Sequence, residues 1–341
     1  MTRTRLLQGG LLLGLGLLVL LGLLQAVSPG RVIDALERAS PWWIALGLLG
    51  PVGFVLLRGW RWRVILGASS PHATLGDVTA ITGVGFAVNA VAAFKLGDLV
   101  RLGAMSRRAR IGIGEVGATI VLERVLDVLA LIVIAVAAAV ASGSGGRGSQ
   151  LWGGVIAFAL VSAGIGAAGA ILVSREEWTL RHLTRLVAGL TPRLGSAAVE
   201  IGGSALRGLR SLRSGGRLAI AAGLSLAIWL ASVAGLYAFY RALSPQLSPA
   251  TLLLAAALFT LSQAISVTPG SVGTFEGLYF LVFTAFGARP HAQVAAAAVL
   301  SHAGGIAGLL ACGAAGSLWL RLRGAVDPVG LKRSLVGEDG A

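Results

Sequence analysis

Long apolar runs dominate this chain and constrain its fold more than any other feature. Hydrophobic residues make up 56% of the 341 residues and charged residues only 12%, whereas a soluble domain is about one quarter charged. A membrane-spanning helix needs roughly 20 consecutive apolar residues. Seven runs meet or approach that length: Leu6–Val27, Trp42–Leu57, Val116–Ala141, Leu151–Val173, Leu218–Tyr240, Ala250–Val267 and Ala292–Leu320.

Two further apolar stretches, Asp77–Phe94 and Thr274–Phe286, are short or rich in glycine and polar residues. The pattern therefore predicts an all-α, polytopic integral membrane helical bundle with seven full spans plus two short, broken or re-entrant segments. We expect residues 1–323 to form one transmembrane domain and residues 324–341 a short cytoplasmic tail. A signal peptide is the alternative for Leu6–Val27, but that run is longer than the apolar core of most signal peptides.

The formal charge of +14 follows the spans rather than forming one basic surface. Arginine and lysine cluster at alternate ends of the spans, which is the positive-inside pattern. This predicts a bacterial inner membrane protein with both termini in the cytoplasm and no nucleic-acid partner. Residues 174–217 predict a basic cytoplasmic amphipathic segment, with a solvated linker as the alternative. The basic clusters are Arg3/Arg5, Arg58–Arg63, Lys95–Arg110, Arg175–Arg217 and Arg321–Arg333.

The sequence contains no pattern that indicates a cofactor or a metal. Cys312 is the single cysteine, so the chain cannot form an internal disulfide. The four histidines are scattered, and the chain has no phosphate-binding Gly-x-x-x-x-Gly-Lys-Ser/Thr motif. We expect no cofactor and no bound metal.

Charged side chains within the third run form the first candidate site. Glu123 and Asp127 share one helical face, and Arg124 lies about 100° away. Charges in a span are costly and usually face the bundle interior or a cavity. They indicate either an ion-pair network that fixes helix packing or a functional site. Lys95 or Arg101 is the expected second cation.

Polar residues at the end of the first short stretch form a second candidate site. Asn89, Lys95, Asp98 and Arg101 follow one another where the apolar sequence becomes charged. Arginine suits two-point binding of phosphate, so these residues predict contact with a lipid headgroup. The alternative is ordinary anchoring at the cytoplasmic interface.

An irregular segment in the C-terminal half forms a third candidate site. Pro269, Gly270 and Gly273 interrupt an apolar region. A helix that restarts after them presents free N–H groups to an anion. Glu276 would lie in its first turn, and the alternative is a tight turn with a capping glutamate. Candidate proton carriers are Asp127, Glu276 and His302, although a lone histidine in a span more often packs and donates a hydrogen bond.

Four motifs, in order, carry a resemblance to a known family. They are RGWRWR at 58–63, KLGDLVR at 95–101, ERVLD at 123–127 and PGSVGTFEG at 269–277. Over Leu6–Leu320 the chain resembles the flippase-like transmembrane domain of lysylphosphatidylglycerol synthases. The resemblance implies a helical bundle with re-entrant segments that moves a lipid between leaflets. We expect a stand-alone member that lacks the aminoacyltransferase domain.

The preferred function is therefore a lipid flippase or scramblase, not an enzyme. Its cargo would be an anionic or phosphate-bearing membrane lipid: aminoacyl-phosphatidylglycerol, a polyprenyl-phosphate-linked lipid or a glycolipid. One alternative is a membrane scaffold for a lipid or glycan biosynthetic enzyme, docked through residues 175–217. Another is a glycosyltransferase that uses Asp34 and Glu37. The oligomeric state is left open. The substrate-binding positions would be Asn89, Lys95, Asp98, Arg101, Glu123, Arg124, Asp127, Pro269, Gly270, Gly273 and Glu276.

Overall fold

A computed structural model of the chain describes residues 3–67, 70, 73–92, 96–142, 215–243, 246–263 and 268–324. This part of the chain is helical and contains no strand, which confirms the all-α prediction. The helices are α1 (Arg3–Val27), α2 (Pro29–Glu37), α3 (Pro41–Leu66), α4 (Leu75–Val91), α5 (Leu96–Ala109), α6 (Ile113–Ala141), α7 (Gly215–Ala242), α8 (Pro249–Ser262), α9 (Thr274–Ala285) and α10 (His291–Leu322).

Five helices in the described part are long and apolar enough to cross a membrane, namely α1, α3, α6, α7 and α10. Three more, α4, α8 and α9, are apolar but have only 12–17 residues. A proline in the first turn begins α2, α3 and α8, where its missing N–H costs nothing. The protein is therefore a multi-pass integral membrane protein.

Two elements differ from the sequence prediction. Helix α3 does not end with the apolar run at Leu57 but continues to Leu66, since no proline lies between those positions and Gly59 is accommodated inside the helix. The predicted full span Ala250–Val267 is wrong, since α8 has only 14 residues and ends at Ser262. The predicted span Leu151–Val173 lies outside the described residues, as does the basic segment 174–217 except for its last three residues.

Helices α4 and α5 form a hairpin that enters and leaves at the same end of the bundle. Near the start of α4, the Asp77 carboxylate accepts a hydrogen bond from Arg108 near the end of α5, at 2.8 Å. At the tip, the Asn89 side-chain oxygen accepts a 2.7 Å hydrogen bond from the backbone N–H of Gly97. Neither helix alone is long enough to span a membrane. The predicted short segment is therefore one arm of a re-entrant hairpin.

Helices α8 and α9 form a second hairpin, which enters from the opposite end. Before α8, the backbone N–H of Gln246 donates to the carbonyl of Arg289 after α9, at 3.3 Å. Arg289 lies at the start of α10, whereas Trp319 near the end of α10 donates to Asp77 of the first hairpin. The second hairpin is broken at its tip by a 3₁₀ turn at Pro269–Ser271.

The tips of the two hairpins touch each other inside the bundle. A Cβ atom at Gly270 would lie only 3.2 Å from the Ala90 carbonyl oxygen, so the turn packs directly on the end of α4. From the other side, Gly16 of α1 packs against the backbone of Val272 and Gly273. The two irregular regions that the sequence places in different halves of the chain thus meet at one location.

Close backbone packing in the first hairpin generates a stability prediction. A Cβ at Gly97 would collide with the carbonyl oxygen of Gly85 and approach the Asn89 side-chain oxygen. We expect Gly97→Ala to destabilise the protein by about 1–3 kcal/mol, because an overpacked contact forces the backbone to shift. Thermal unfolding of the detergent-purified protein measures this.

Gly103→Ala is the matched control on the same helix. The nearest atom to a Cβ at Gly103 is the end of the Arg107 side chain at 3.8 Å, so the methyl group fits. Alanine is also the better helix former, and we expect Gly103→Ala to keep or raise the stability. Equal effects of the two substitutions would contradict a tight α4–α5 hairpin.

Candidate functional site

Two arginines of α3 point into the bundle and share one carboxylate. Arg58 and Arg61 lie three residues apart, on one face of the helix, and both are 0% exposed. Asp127 of α6 accepts hydrogen bonds from both, at 2.7 Å from Arg58 and 2.6 Å from Arg61. The Trp229 indole of α7 also donates to Asp127, at 3.2 Å. One carboxylate thus joins three helices.

A second carboxylate extends this network to the first hairpin. Glu123 is fully buried and accepts a 2.6 Å hydrogen bond from Arg101 of α5. Its other oxygen lies 3.4 Å from Arg61, which also donates to the Ser225 hydroxyl at 2.8 Å. Ser225 lies on α7, so the network connects α3, α5, α6 and α7.

The network lies deep along the helices. Asp127 is fourteen residues from each end of α6, or about 21 Å at 1.5 Å per residue. Ionised groups at such a depth are costly unless they are paired, and they mark functional positions in membrane proteins. Within the network, Glu123 and Asp127 each have at least two arginine partners.

One edge of the network is accessible. Arg124 donates to both oxygens of Asp98, at 2.8 and 3.0 Å, and its side chain is 37% exposed. The Asn89 amide lies 3.4 Å from the same Asp98 carboxylate. These three residues belong to α6, α5 and α4, beside the tip of the first hairpin. This is therefore the accessible side of the network.

The network carries a net positive charge. Four guanidinium groups (Arg58, Arg61, Arg101 and Arg124) face three carboxylates (Asp98, Glu123 and Asp127), which leaves one positive charge. Arg58 and Arg101 each have two buried side-chain nitrogens without a hydrogen-bond partner. These spare donors and the unbalanced charge suit an anion with several oxygen atoms, such as a phosphate.

Aromatic rings pack against Arg58 and Arg101, the two arginines with two spare donors each. The Arg58 guanidinium lies 4.4 Å from the centre of the Phe54 ring and 4.9 Å from that of Phe86. The Arg101 guanidinium lies 4.2 Å from the centre of Trp62. Cation–π contacts compensate part of the lost hydration and leave the guanidinium edges available for hydrogen bonds.

A second polar group lies at the tip of the other hairpin. His302 of α10 contacts Glu276 of α9 through Nδ1, at 2.7 Å, and the Gly270 carbonyl through Nε2, at 2.8 Å. The other oxygen of Glu276 accepts from the Gly273 N–H at 2.8 Å. The Phe275 ring stacks on the imidazole, with centroids 4.4 Å apart. Glu276 and His302 are therefore directly joined and nearly buried.

A mostly apolar cavity of about 200 Å³ lies between the two groups. Phe54, which stacks under Arg58, borders the cavity at one side. The cavity is also bordered by Phe275 and Ser301. These residues directly precede Glu276 and His302 in the sequence. The cavity therefore reaches the immediate surroundings of both polar groups.

The structure sorts the residues predicted from the sequence into these two groups. The arginine network contains Asn89, Asp98, Arg101, Glu123, Arg124 and Asp127. The second group contains Gly270, Gly273, Glu276 and His302. Pro269 begins the 3₁₀ turn between them. Lys95 lies outside the described residues.

The sequence interpretation missed two central cations. It assigned Arg58 and Arg61 to the cytoplasmic interface, whereas both are buried in the bundle. It expected Lys95 or Arg101 as a second cation besides Arg124, and Arg101 does pair with Glu123 at 2.6 Å. Arg124 lies 3.8 Å from Asp127 and pairs mainly with Asp98. The spacing of three residues places Arg58 and Arg61 on one face of α3, but an arginine directly after an apolar run can equally reach the interface.

Comparison with known proteins identifies the family. A family model for the lysylphosphatidylglycerol synthase TM region matches residues 7–313. The chain belongs to this family. It is 27% identical over 331 residues to the glycosyltransferase AglD of Haloferax volcanii, with 89% of this chain and 52% of that protein aligned. The chain thus spans about half the length of that relative. It is also 22% identical to a UPF0104 membrane protein of Methanothermobacter thermautotrophicus, with 86% of this chain and 90% of that protein aligned.

The surplus positive charge predicts an asymmetry between substitutions. Asp127→Asn leaves the network with two uncompensated positive charges, so we expect a loss of about 3–5 kcal/mol, the usual effect of breaking a buried pair. Arg61→Gln leaves it neutral, with Asp127 still paired to Arg58, and we expect a smaller loss. Thermal unfolding of the two variants in the same detergent compares them. A larger loss for Arg61→Gln would contradict the charge count.

Proposed function

We propose that this protein moves a lipid with an anionic, phosphate-bearing headgroup between the leaflets of its membrane. The observation that supports this most strongly is the position of the arginine network. Two re-entrant hairpins enter from opposite ends, their tips meet inside the bundle, and a network with one surplus positive charge lies beside that meeting point. Broken helices that meet at mid-depth are typical of transport sites.

The physical difficulty in such a reaction is the headgroup. Transfer of an unpaired polar group from water to an apolar medium costs several kcal/mol, and transfer of a charge costs more. A buried site with guanidinium donors replaces the lost water contacts. Arg124 and Asp98 form its accessible edge, and Arg101 lies directly behind them, within 3.7 Å of Asp98. The acyl or prenyl chains stay in the surrounding lipid.

The charge at the two ends of the bundle supports an orientation. Basic residues gather where α3, α5 and α10 end and where α7 begins. They include Arg63, Arg107, Arg108, Arg110, Arg217, Arg321 and Arg323. At the other end, Asp34 and Glu37 of α2 offset two of four arginines, which are Arg31, Arg38, Arg241 and Arg289. We place the more basic end, and with it both chain termini, in the cytoplasm. The first hairpin then opens to the cytoplasm and the second to the outside.

The cargo is defined by the chemistry of the site rather than by one lipid. Aminoacyl-phosphatidylglycerol, polyprenyl-phosphate-linked lipids and phosphate-bearing glycolipids all present phosphate oxygens to the arginines. The family supports the first of these, because its description refers to lysylphosphatidylglycerol synthases. The name of the AglD relative supports a lipid of a glycosylation pathway. Mass spectrometry of the lipids that co-purify with the protein would select the cargo for transport assays.

Removal of the accessible arginine tests the proposal. In proteoliposomes that contain the co-purified lipid class in fluorescent form, we expect Arg124→Gln to slow transbilayer movement roughly ten- to a hundredfold, because one charge-assisted hydrogen bond to the phosphate is lost. Chemical quenching of the fluorophore in the outer leaflet measures the rate.

Arg107→Gln is the matched control. Arg107 is an exposed arginine on α5 with no ion pair among the described residues, so the substitution changes the net charge equally. We expect it to leave the rate unchanged. Movement no faster than in protein-free vesicles, or equal losses in both variants, would contradict the proposal. In the first case a scaffold for a lipid or glycan biosynthetic enzyme becomes the better interpretation.

The glycosyltransferase relative defines a second candidate with its own test. Asp34 and Glu37, the carboxylates that a transferase would use, are exposed on the nine-residue α2. Under the transport proposal, Asp34→Asn with Glu37→Gln leaves lipid movement unchanged. Transfer of a sugar to a lipid-linked acceptor by the wild type, lost in this double variant, would favour the enzyme.

A further inference from the structure

We infer that Glu276 and His302 form a proton-binding site, and that its proton latches the tip of the second hairpin to α10. This inference deepens the proposed function, and it rests on that function only for its last step, the coupling to lipid movement. It is carried by the hydrogen-bond geometry of four groups: the imidazole, the carboxylate, the Gly270 carbonyl and the Gly273 N–H.

The protons of this group can be counted. The Gly270 carbonyl can only accept, so Nε2 of His302 must carry a hydrogen to form the 2.8 Å contact. The 2.7 Å contact between Nδ1 and Glu276 then needs a second proton, either on the imidazole or on the carboxyl group. In both cases the pair holds one proton more than a neutral histidine beside a carboxylate.

That extra proton holds the hairpin tip at two points. Glu276 accepts from the N–H of Gly273, at one end of the turn, while His302 donates to the carbonyl of Gly270 at the other. Both glycines have positive φ angles, 59° and 76°, a conformation that other residues rarely adopt. Without the proton, His302 has a single N–H to offer to two acceptors. One of its two hydrogen bonds must then break. Loss of the bond to Gly270 frees the turn from α10, and loss of the bond to Glu276 frees α9 from α10.

The helices around this pair carry their other ionisable groups elsewhere along their length. The described side chains of α1 and α8 include no ionisable group. On α4 the ionisable group is Asp77, which lies at the far end and pairs with Arg108. Tyr279 follows one turn later on α9, and Cys312 lies ten residues further along α10. The charges of α2 lie near the start of α10. On α3, Arg58 and Arg61 belong to the arginine network, and Arg63 lies in the last turn and donates to the Gly67 carbonyl.

The latch links the proton to the headgroup site through the contact between the two tips. Gly270 packs on Ala90, and the same first hairpin holds Asp98 and Arg101 of the network. Release of the turn frees the first hairpin to move against α6. The cavity bordered by Phe275 and Ser301 lies next to the pair. Lipid movement would then be accompanied by uptake and release of one proton.

Glu276→Gln is the sharpest test, because the glutamine amide can form the same bonds without a proton. Its oxygen accepts from Gly273, its N–H₂ group donates to Nδ1, and Nε2–H still donates to Gly270. We therefore expect a latch that is closed at every pH. Hydrogen exchange of the turn, Thr268–Thr274, in the full-length protein reports on the latch without any lipid transport.

The expected results separate the latch from the transport proposal. Corrected for the intrinsic effect of pH, exchange of the turn should rise roughly tenfold in the wild type from about pH 5.5 to about pH 8.5, as one hydrogen bond is lost. It should stay constant in Glu276→Gln. Nitrogen NMR of the protein with labelled histidine provides a second readout. The His302 signals are those that disappear in His302→Gln. They should show a second N–H proton, or a hydrogen bond from the carboxyl group, at the lower pH only.

Each outcome decides one of the two proposals. Equal pH dependence in the wild type and in Glu276→Gln, or pH-independent exchange in both, would overturn the latch whether or not lipid moves. A pH-dependent turn in the wild type that becomes constant in Glu276→Gln would confirm the latch. With that result, lipid movement in proteoliposomes should depend on pH in the wild type and lose that dependence in Glu276→Gln. A latch without any lipid movement would instead overturn the proposed function.

Discussion

The ion pairs between Asp127 and the two arginines of α3 are the interaction on which the rest of the structure depends. A carboxylate at the centre of α6 must be paired, because charges in the membrane interior are costly. Arg58 and Arg61 can both reach it only if α3 packs against α6 at one register and one rotation. Glu123, bound by Arg61 and Arg101, then sets the position of the first hairpin against both helices.

The two hairpins follow from a different constraint, the need to satisfy the backbone in a membrane. A broken helix exposes N–H and C=O groups, which lipid cannot bind, so a break is tolerated only where protein covers it. The break before α5 is covered by Asn89, and the break before α9 by Glu276, His302 and the backbone of α1. Each tip also covers the other at Gly270, which is why both breaks lie at one place.

The two polar groups differ in a way that suits a transport cycle. The arginine network has one surplus positive charge and spare N–H donors, which favour an anionic headgroup. The Glu276–His302 pair holds one extra proton and forms hydrogen bonds to the backbone of the turn. The first group is therefore suited to binding the cargo, and the second to controlling the element beside it. Because Gly270 packs on Ala90, the two groups lie on hairpins whose tips are in contact.

The sequence alone determined the chemistry of this protein but not its arrangement. Apolar runs of sufficient length predicted the helices, since lipid admits few alternatives to a helix, and Pro269 with its glycines marked the second break. Glu123, Asp127 and Glu276 stood out because carboxylates are rare in apolar sequence. The burial of Arg58 and Arg61 could not be predicted, because an arginine after an apolar run can equally reach the interface. Only tertiary packing decided that these arginines pair with a carboxylate 66 and 69 positions away, and that two breaks in distant parts of the chain touch.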